Sequence, residues 1–275
     1  MKCAWKELTQ ILPPHFCRDI DVLGADGAQE IRLRLGFAPY ILTKTKKILI
    51  PGIVSLDDLN YVLNAASRYS PWTAATAADG YITAQGGHRV GLCGEAVIHD
   101  GTMTGFRKIT SVNIRVARDF LGIAAPLSDY VGNVLILGPP GSGKTTLLRD
   151  LIRYRSKQFS VSVVDERCEL FPYGFSLGDG IDVISGCNKS HGVITLLRTM
   201  SPDVIAVDEI TAKEDADALI QAHNCGVTLL ATAHAGDASD FCKRGTYQSI
   251  VQSKMVDWFV TLRKDKSYTV ERFRL

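Results

Sequence analysis

No apolar run in the 275 residues approaches the ~18 consecutive positions that a membrane-crossing helix needs. The cysteines, at 3, 17, 93, 168, 187, 225 and 242, never form a Cys-x-x-Cys pair. A zinc site built from paired cysteines is therefore not expected, and reduced thiols are the default. An excess of one charge is lacking as well: 31 Lys and Arg against 29 Asp and Glu leave +2, too near balance to imply nucleic acid by itself. The opening Met1-Lys2-Cys3-Ala4-Trp5-Lys6-Glu7 has neither the apolar core nor the cleavage site of a signal peptide, so a cytosolic location is expected. Internal repeats and low-complexity tracts are absent. What remains, 46% hydrophobic and 22% charged, is an ordinary globular composition. The length suits two domains of ~100–200 residues each.

The most informative stretch is Gly138-Pro139-Pro140-Gly141-Ser142-Gly143-Lys144-Thr145-Thr146. It follows an apolar run, Val134 to Leu137, and precedes a helix-like run from Leu147 to Tyr154, the setting a P-loop requires. Glycines at 138, 141 and 143 allow a tight turn whose amide N–H groups point inward at phosphates. Lys144 is then placed for the β and γ phosphates and Thr145 for Mg²⁺, and the following helix adds its positive end. The motif names the ligand class and leaves the activity open, since motors, kinases, transporters and switches share it.

From Asn133 onward apolar strands alternate with helical stretches. Ser160 to Val164, Val204 to Val207 and Val227 to Ala231 read as buried strands, and Gly192 to Met200 and Ala212 to His223 as helices. This rhythm predicts an α/β domain with a mostly parallel sheet and ligands at the strands' carboxyl ends. Trp258 to Leu262 and Tyr268 to Phe273 read as a hairpin turning at Lys264-Asp265-Lys266. Residues 1–120 lack the rhythm. Leu8 to Leu12 and Asp57 to Ala66 look helical, the latter capped by Ser55. Around them lie extended segments: Glu30 to Leu35, Tyr40 to Leu42, Gly80 to Ala84, His88 to Leu92, Glu95 to Ile98 and Asn113 to Val116. With turn signals at Gly86-Gly87 and Asp100-Gly101, a smaller antiparallel α+β domain is expected, joined through a linker at 121–132 to a nucleotide-binding domain over 133–275.

Three further strand ends carry chemistry. Val204 to Val207 runs into Asp208-Glu209, where Asp208 suits the metal and Glu209 an attacking water; a helix-capping acidic pair is the alternative. Val163-Val164 runs into Asp165-Glu166-Arg167, so Glu166 competes with Glu209 for the water, unless it pairs with Arg167 at the surface. Thr228 to Ala231 leads into Thr232-Ala233-His234, a pair able to sense a γ phosphate or to be structural.

The order of these motifs, with Leu-Arg-x-x-x-Pro-Asp ahead of Asp208, resembles the type II/IV secretion ATPases, RecA-like P-loop motors. Glu30-Ile31-Arg32-Leu33-Arg34, Gly86-Gly87-His88-Arg89-Val90-Gly91 and Asn113-Ile114-Arg115-Val116-Ala117-Arg118 sharpen the resemblance to the sporulation stage III AA branch, over nearly the whole chain. The resemblance implies an ATP-hydrolysing, Mg²⁺-dependent hexamer in the mother-cell cytoplasm, peripheral to the membrane through an integral platform protein. It places Glu166 in the Asp box, Arg198 in the Leu-Arg-x-x-x-Pro-Asp segment, Glu209 in Walker B and His234 in the His box. It also implies that Arg89 or Arg115 reaches the phosphates from the N-terminal domain, with Arg107 and Arg118 standing second; surface ion pairs are the alternative. Asp208 departs from the glycine that many secretion ATPases place there. A nucleic-acid-associated ATPase or nucleotide-gated binding module is the rival reading, but no basic stripe with interleaved aromatics supports nucleic-acid contact.

Overall fold

The computed structural model describes residues 3–23, 27–67, 77–78, 80–172 and 174–273; Met1, Lys2 and 274–275, parts of the expected domains, lie outside them. The chain divides into two compact units. One runs to Asp119 and takes in Pro172–Phe175; the other comprises Phe120–Phe171 and Ser176–Leu275.

The first unit is a six-stranded antiparallel sheet, in the order β3-β2-β1-β6-β5-β4. Its strands are β1 (Glu30–Arg34), β2 (Tyr40–Leu42), β3 (Lys47–Leu49), β4 (Tyr81–Thr83), β5 (Arg89–His99) and β6 (Thr102–Arg115). Helices α1 (Trp5–Gln10), α2 (Pro14–Leu23) and α3 (Leu56–Ser67) accompany it. Alternation along β1 sends Ile31 and Leu33 into the core with Leu8, Phe16, Leu59 and Val62. Ser55 does cap α3: its hydroxyl accepts the Asp58 N–H at 3.2 Å, while Asp58 accepts the Ser55 N–H at 2.8 Å. The segments expected separately at 88–92 and 95–98 are one strand, β5. Asp100 and Gly101, at φ 49° and 77°, turn it directly into β6, the paired left-handed geometry of a tight hairpin.

The second unit is a seven-stranded sheet, in the order β13-β12-β7-β11-β10-β8-β9. These are β7 (Val134–Leu137), β8 (Val161–Asp165), β9 (Ile181–Ser185), β10 (Val204–Val207), β11 (Thr228–Ala233), β12 (Trp258–Leu262) and β13 (Tyr268–Arg272). Only β13 runs antiparallel, closing the expected hairpin with β12. The central strands are buried on both faces, which is why they read as largely apolar runs. Helices are α4 (Lys144–Arg155), α5 (Lys189–Thr199), α6 (Lys213–Asn224), α7 (Ala238–Lys243) and α8 (Gln248–Ser253). Residues 121–132 pack onto α4, where Asp150 accepts the N–H groups of Gly122 and Ala124 at 3.0 and 2.7 Å, with Ala124 and Leu127 buried. Among the described residues no helix is long and apolar enough to cross a membrane.

Candidate nucleotide site

The sheet order decides what meets at its carboxyl edge. Strand β7 delivers the loop of 138–143, β11 lies beside it, and β10 and β8 follow, so the P-loop, Thr232-Ala233-His234, Asp208-Glu209 and Asp165-Glu166 stand in one row. The loop's glycines are required by conformation and by space. Gly138, Gly141 and Gly143 hold φ of 151°, 73° and 102°. A Cβ on Gly138 would stand 2.7 Å from the Leu262 carbonyl oxygen.

Lys144, at the first position of α4, is 6% exposed. Its ammonium donates to the carbonyls of Gly138 (2.9 Å) and Pro139 (3.2 Å) and lies 3.5 Å from His234 Nδ1. Burial lowers its pKa, against the raising influence of Glu209 and Asp208. The Thr145 hydroxyl donates to Asp208 Oδ2 at 2.7 Å, and the Thr232 hydroxyl donates to Asp208 Oδ1 at 2.7 Å. A hydroxyl beside a carboxylate at a phosphate-binding loop is a hard oxygen donor set of the kind that suits Mg²⁺, so these residues fit the ion.

Glu209 has a left-handed backbone, φ 53°, with its N–H donated to the Thr232 hydroxyl at 2.8 Å. Thr232 is thus occupied on both sides and fully buried, holding the acidic corner rather than facing a phosphate. Glu209 Oε1 is 3.0 Å from His234 Nε2, and Oε2 is 3.6 Å from Arg167. The Nε2–H tautomer of His234 satisfies both neighbours, donating to Glu209 and accepting from Lys144. The acidic pair does not cap the next helix: Asp215 does so, accepting the N–H groups of Thr211 and Ala212 at 3.0 and 3.1 Å.

Asp165 is buried and accepts the N–H groups of Glu169, Leu170 and Phe171 at 2.8, 3.0 and 2.9 Å. Burial raises its pKa while those three bonds act in the opposite direction. It anchors the following loop. Glu166 accepts from the ammonium of Lys189, a buried lysine at the first position of α5 whose other carboxylate neighbour is Asp215 at 3.8 Å. Asp165, Glu166, Arg167, Glu169, Lys189, Asp208 and Glu209 together line a cavity. Lys189 escaped the sequence reading because nothing local distinguishes it; only Asn188, which accepts the His191 N–H at 2.9 Å as cap of α5, marks the helix start. Arg198 is exposed in the last turn of the same helix, at the end remote from Glu166.

In the first unit the strand register sets Glu30, Arg115 and Arg89 side by side on β1, β6 and β5. Arg115 lies 3.8 Å from Glu30 and is 65% exposed, and Arg89 stacks on Tyr81 with 3.9 Å from Cζ to the ring centroid. Arg107 sits well down β6 from Arg115, paired with Glu95 at 2.9 Å, and Arg118 donates to the Ala28 carbonyl at 2.7 Å. The structure groups Arg89 with Arg115 and sets Arg107 apart.

Comparison with known proteins agrees with the motif order. The family described as "Sporulation stage III, protein AA" matches residues 7–271. Stage III sporulation protein AA of Bacillus subtilis (strain 168) is 36% identical over 256 residues, 86% of this chain and 83% of that protein. The type IV pilus assembly ATPase TfpB of Acinetobacter baylyi is 33% identical over 108 residues, 39% of this chain and 18% of its own length. Among solved structures, the pilus retraction motor PilT with bound ADP aligns at TM-score 0.64 and 17% identity, covering 89% of this chain and 76% of that one. The ATPase DotB of Legionella pneumophila aligns at 0.57 and 16%, covering 90% and 76%. The fold is that of a RecA-like P-loop NTPase. The chain belongs to the sporulation stage III protein AA family.

Proposed function

We propose that the chain hydrolyses ATP and acts as the motor of a secretion-type complex between mother cell and forespore, working as a hexamer on an integral membrane partner from the cytoplasmic side. The observation that carries this reading is the continuous set of contacts Thr145–Asp208–Thr232–Glu209–His234–Lys144, which ties the phosphate loop across β11 to two carboxylates at the end of β10. A passive phosphate cradle has no need of the second half.

Residues 138–146 hold the triphosphate, with Lys144 on the β and γ phosphates. Mg²⁺ held at Thr145 and Asp208 would neutralise charge on the phosphate oxygens. Glu209 orients the attacking water and takes its proton, and His234 keeps Glu209 and Lys144 in register. Glu166 is the second carboxylate at this edge. It is held by the buried Lys189 ammonium, whereas Glu209 shares the corner of Asp208, Thr145 and Thr232 beside the phosphate loop, which favours Glu209 for the water. Arg89 or Arg115 answers charge on the transferring phosphoryl group as ATP binding closes the N-terminal domain, and hydrolysis reopens it.

Steady-state phosphate release tests the reading. Lys144→Ala is expected to abolish turnover, and Glu209→Gln to lower it by about 10²–10⁴-fold with nucleotide binding retained. Turnover in Lys144→Ala equal to the parent's would remove the ATPase proposal.

A further inference from the structure

The turn between β12 and β13 reaches the phosphate loop from the side opposite the acidic residues. Strand β7 has β11 on one flank and β12 on the other. The groups that act on the γ phosphate, Asp208, Glu209 and His234, all stand on the β11 flank. A linear nucleotide anchored in the loop by its β phosphate, with its γ phosphate turned toward them, sends ribose and base toward β12. There the approach is close: Leu262, last residue of β12, limits Gly138 through its carbonyl and stands 3.9 Å from where a Cβ on Gly143 would be.

Four residues on, the Lys266 ammonium donates to the Gly141 carbonyl at 2.5 Å, and its side chain passes 3.9 Å from that same Gly143 position. The turn that presents it is firmly built. Lys266 adopts φ 73° and donates its N–H to the Arg263 carbonyl at 3.1 Å, while Asp265 accepts the N–H and hydroxyl of Ser267 at 3.0 and 2.7 Å. An exposed lysine whose head is tied to the loop leaves its methylene stem as an apolar surface beside it.

We propose that Lys266 forms the nucleoside-side wall of the site, its ammonium fixed on the Gly141 carbonyl and its stem packed against the ribose and base of the bound nucleoside triphosphate. This rests on the nucleotide-binding reading above. Lys266 therefore acts on the nucleoside part of the ligand, whereas Lys144 acts on its phosphates.

Titration calorimetry of the full chain with Mg²⁺ and either a non-hydrolysable ATP analogue or inorganic tripolyphosphate separates the roles. For Lys266→Ala the Kd for the ATP analogue is expected to rise about five- to tenfold, with tripolyphosphate affinity within about twofold of the parent. An unchanged affinity for the analogue overturns the proposal. So does equal weakening of both ligands, which would assign Lys266 to the phosphates or to loop shape. Lys144→Ala is the control: affinity for both ligands retained there would sink the nucleotide-binding reading itself, independently of Lys266.

Discussion

Glu209 occupies a backbone region that costs a non-glycine residue about 1–3 kcal/mol, and it persists because its surroundings over-determine it. The Thr232 hydroxyl is the fixing point, accepting from the Glu209 N–H and donating to Asp208. Removing that hydroxyl while keeping the side chain's size leaves two polar groups short of a partner in a buried corner. Thr232→Val is therefore expected to lose about 1–3 kcal/mol of stability. It should also raise the Mg²⁺ concentration needed for half-maximal turnover, since Asp208 loses the bond that aims its second oxygen. Thermal melts and a Mg²⁺ titration of phosphate release check the two effects. A variant with reduced stability but an unchanged Mg²⁺ requirement would confine Thr232 to packing.

Helix α5 shows the same dependence at the level of an element. It carries Lys189 to Glu166, and it packs onto β8 through Gly192, where a Cβ would meet Val164 Cγ1 at 2.6 Å and Cys187 Sγ at 3.1 Å. Alanine in place of a helical glycine ordinarily gains about 1 kcal/mol. Here Val164 is β-branched, fully buried in the middle of the sheet and unable to move aside. Gly192→Ala is expected to lower the melting temperature, with a net cost of about 1–3 kcal/mol, and to reduce turnover through displacement of Lys189. The same glycine explains why the sequence placed the start of this helix at 192 and not at Lys189: it reads as a break, while the true cap, Asn188, lies four residues earlier. Legibility elsewhere followed the same physics. Strands β8, β10 and β11 are readable because double-sided burial makes them largely apolar runs, and their polar ends are readable because motif and strand are adjacent. The edge strand β9, with its mixed burial, and the six-residue helices α7 and α8 offer too short a period to register. Glu166–Lys189 and Gly141–Lys266 pair residues 23 and 125 positions apart, so no local pattern announces them.

At the scale of the whole molecule the chain contains separate hydrophobic cores, one in the first unit and others in the second, so a perturbation can be aimed at one unit. Nucleotide held by residues 138–146 would stabilise the unit that carries the loop, by about 2.7 kcal/mol at a hundredfold excess over Kd. Acid should act on the other through His88. That ring is fully buried, with Nδ1 accepting the Ala117 N–H at 3.1 Å and Nε2 set 2.8 Å from the Ala4 carbonyl. The neutral Nε2–H form satisfies both partners, whereas a second ring proton would point at the Ala117 N–H. Burial pushes the pKa below 6.5, outweighing the raising effects of the Ala4 carbonyl and Glu7. The unfolded chain consequently takes up this proton before the folded one does. The His88 contribution is complete above pH ~6.5 and is lost as pH falls from there toward the folded value. Amide protection factors in α1 and at Ala117, taken relative to the intrinsic exchange rate at each pH, are expected to fall as pH drops below ~6.5, with a His88 ring titration midpoint below ~6.5 by NMR. A midpoint at or above that value would show that the ring carries its proton within the fold, and the tie between the N-terminal segment and the sheet would then not weaken in this range.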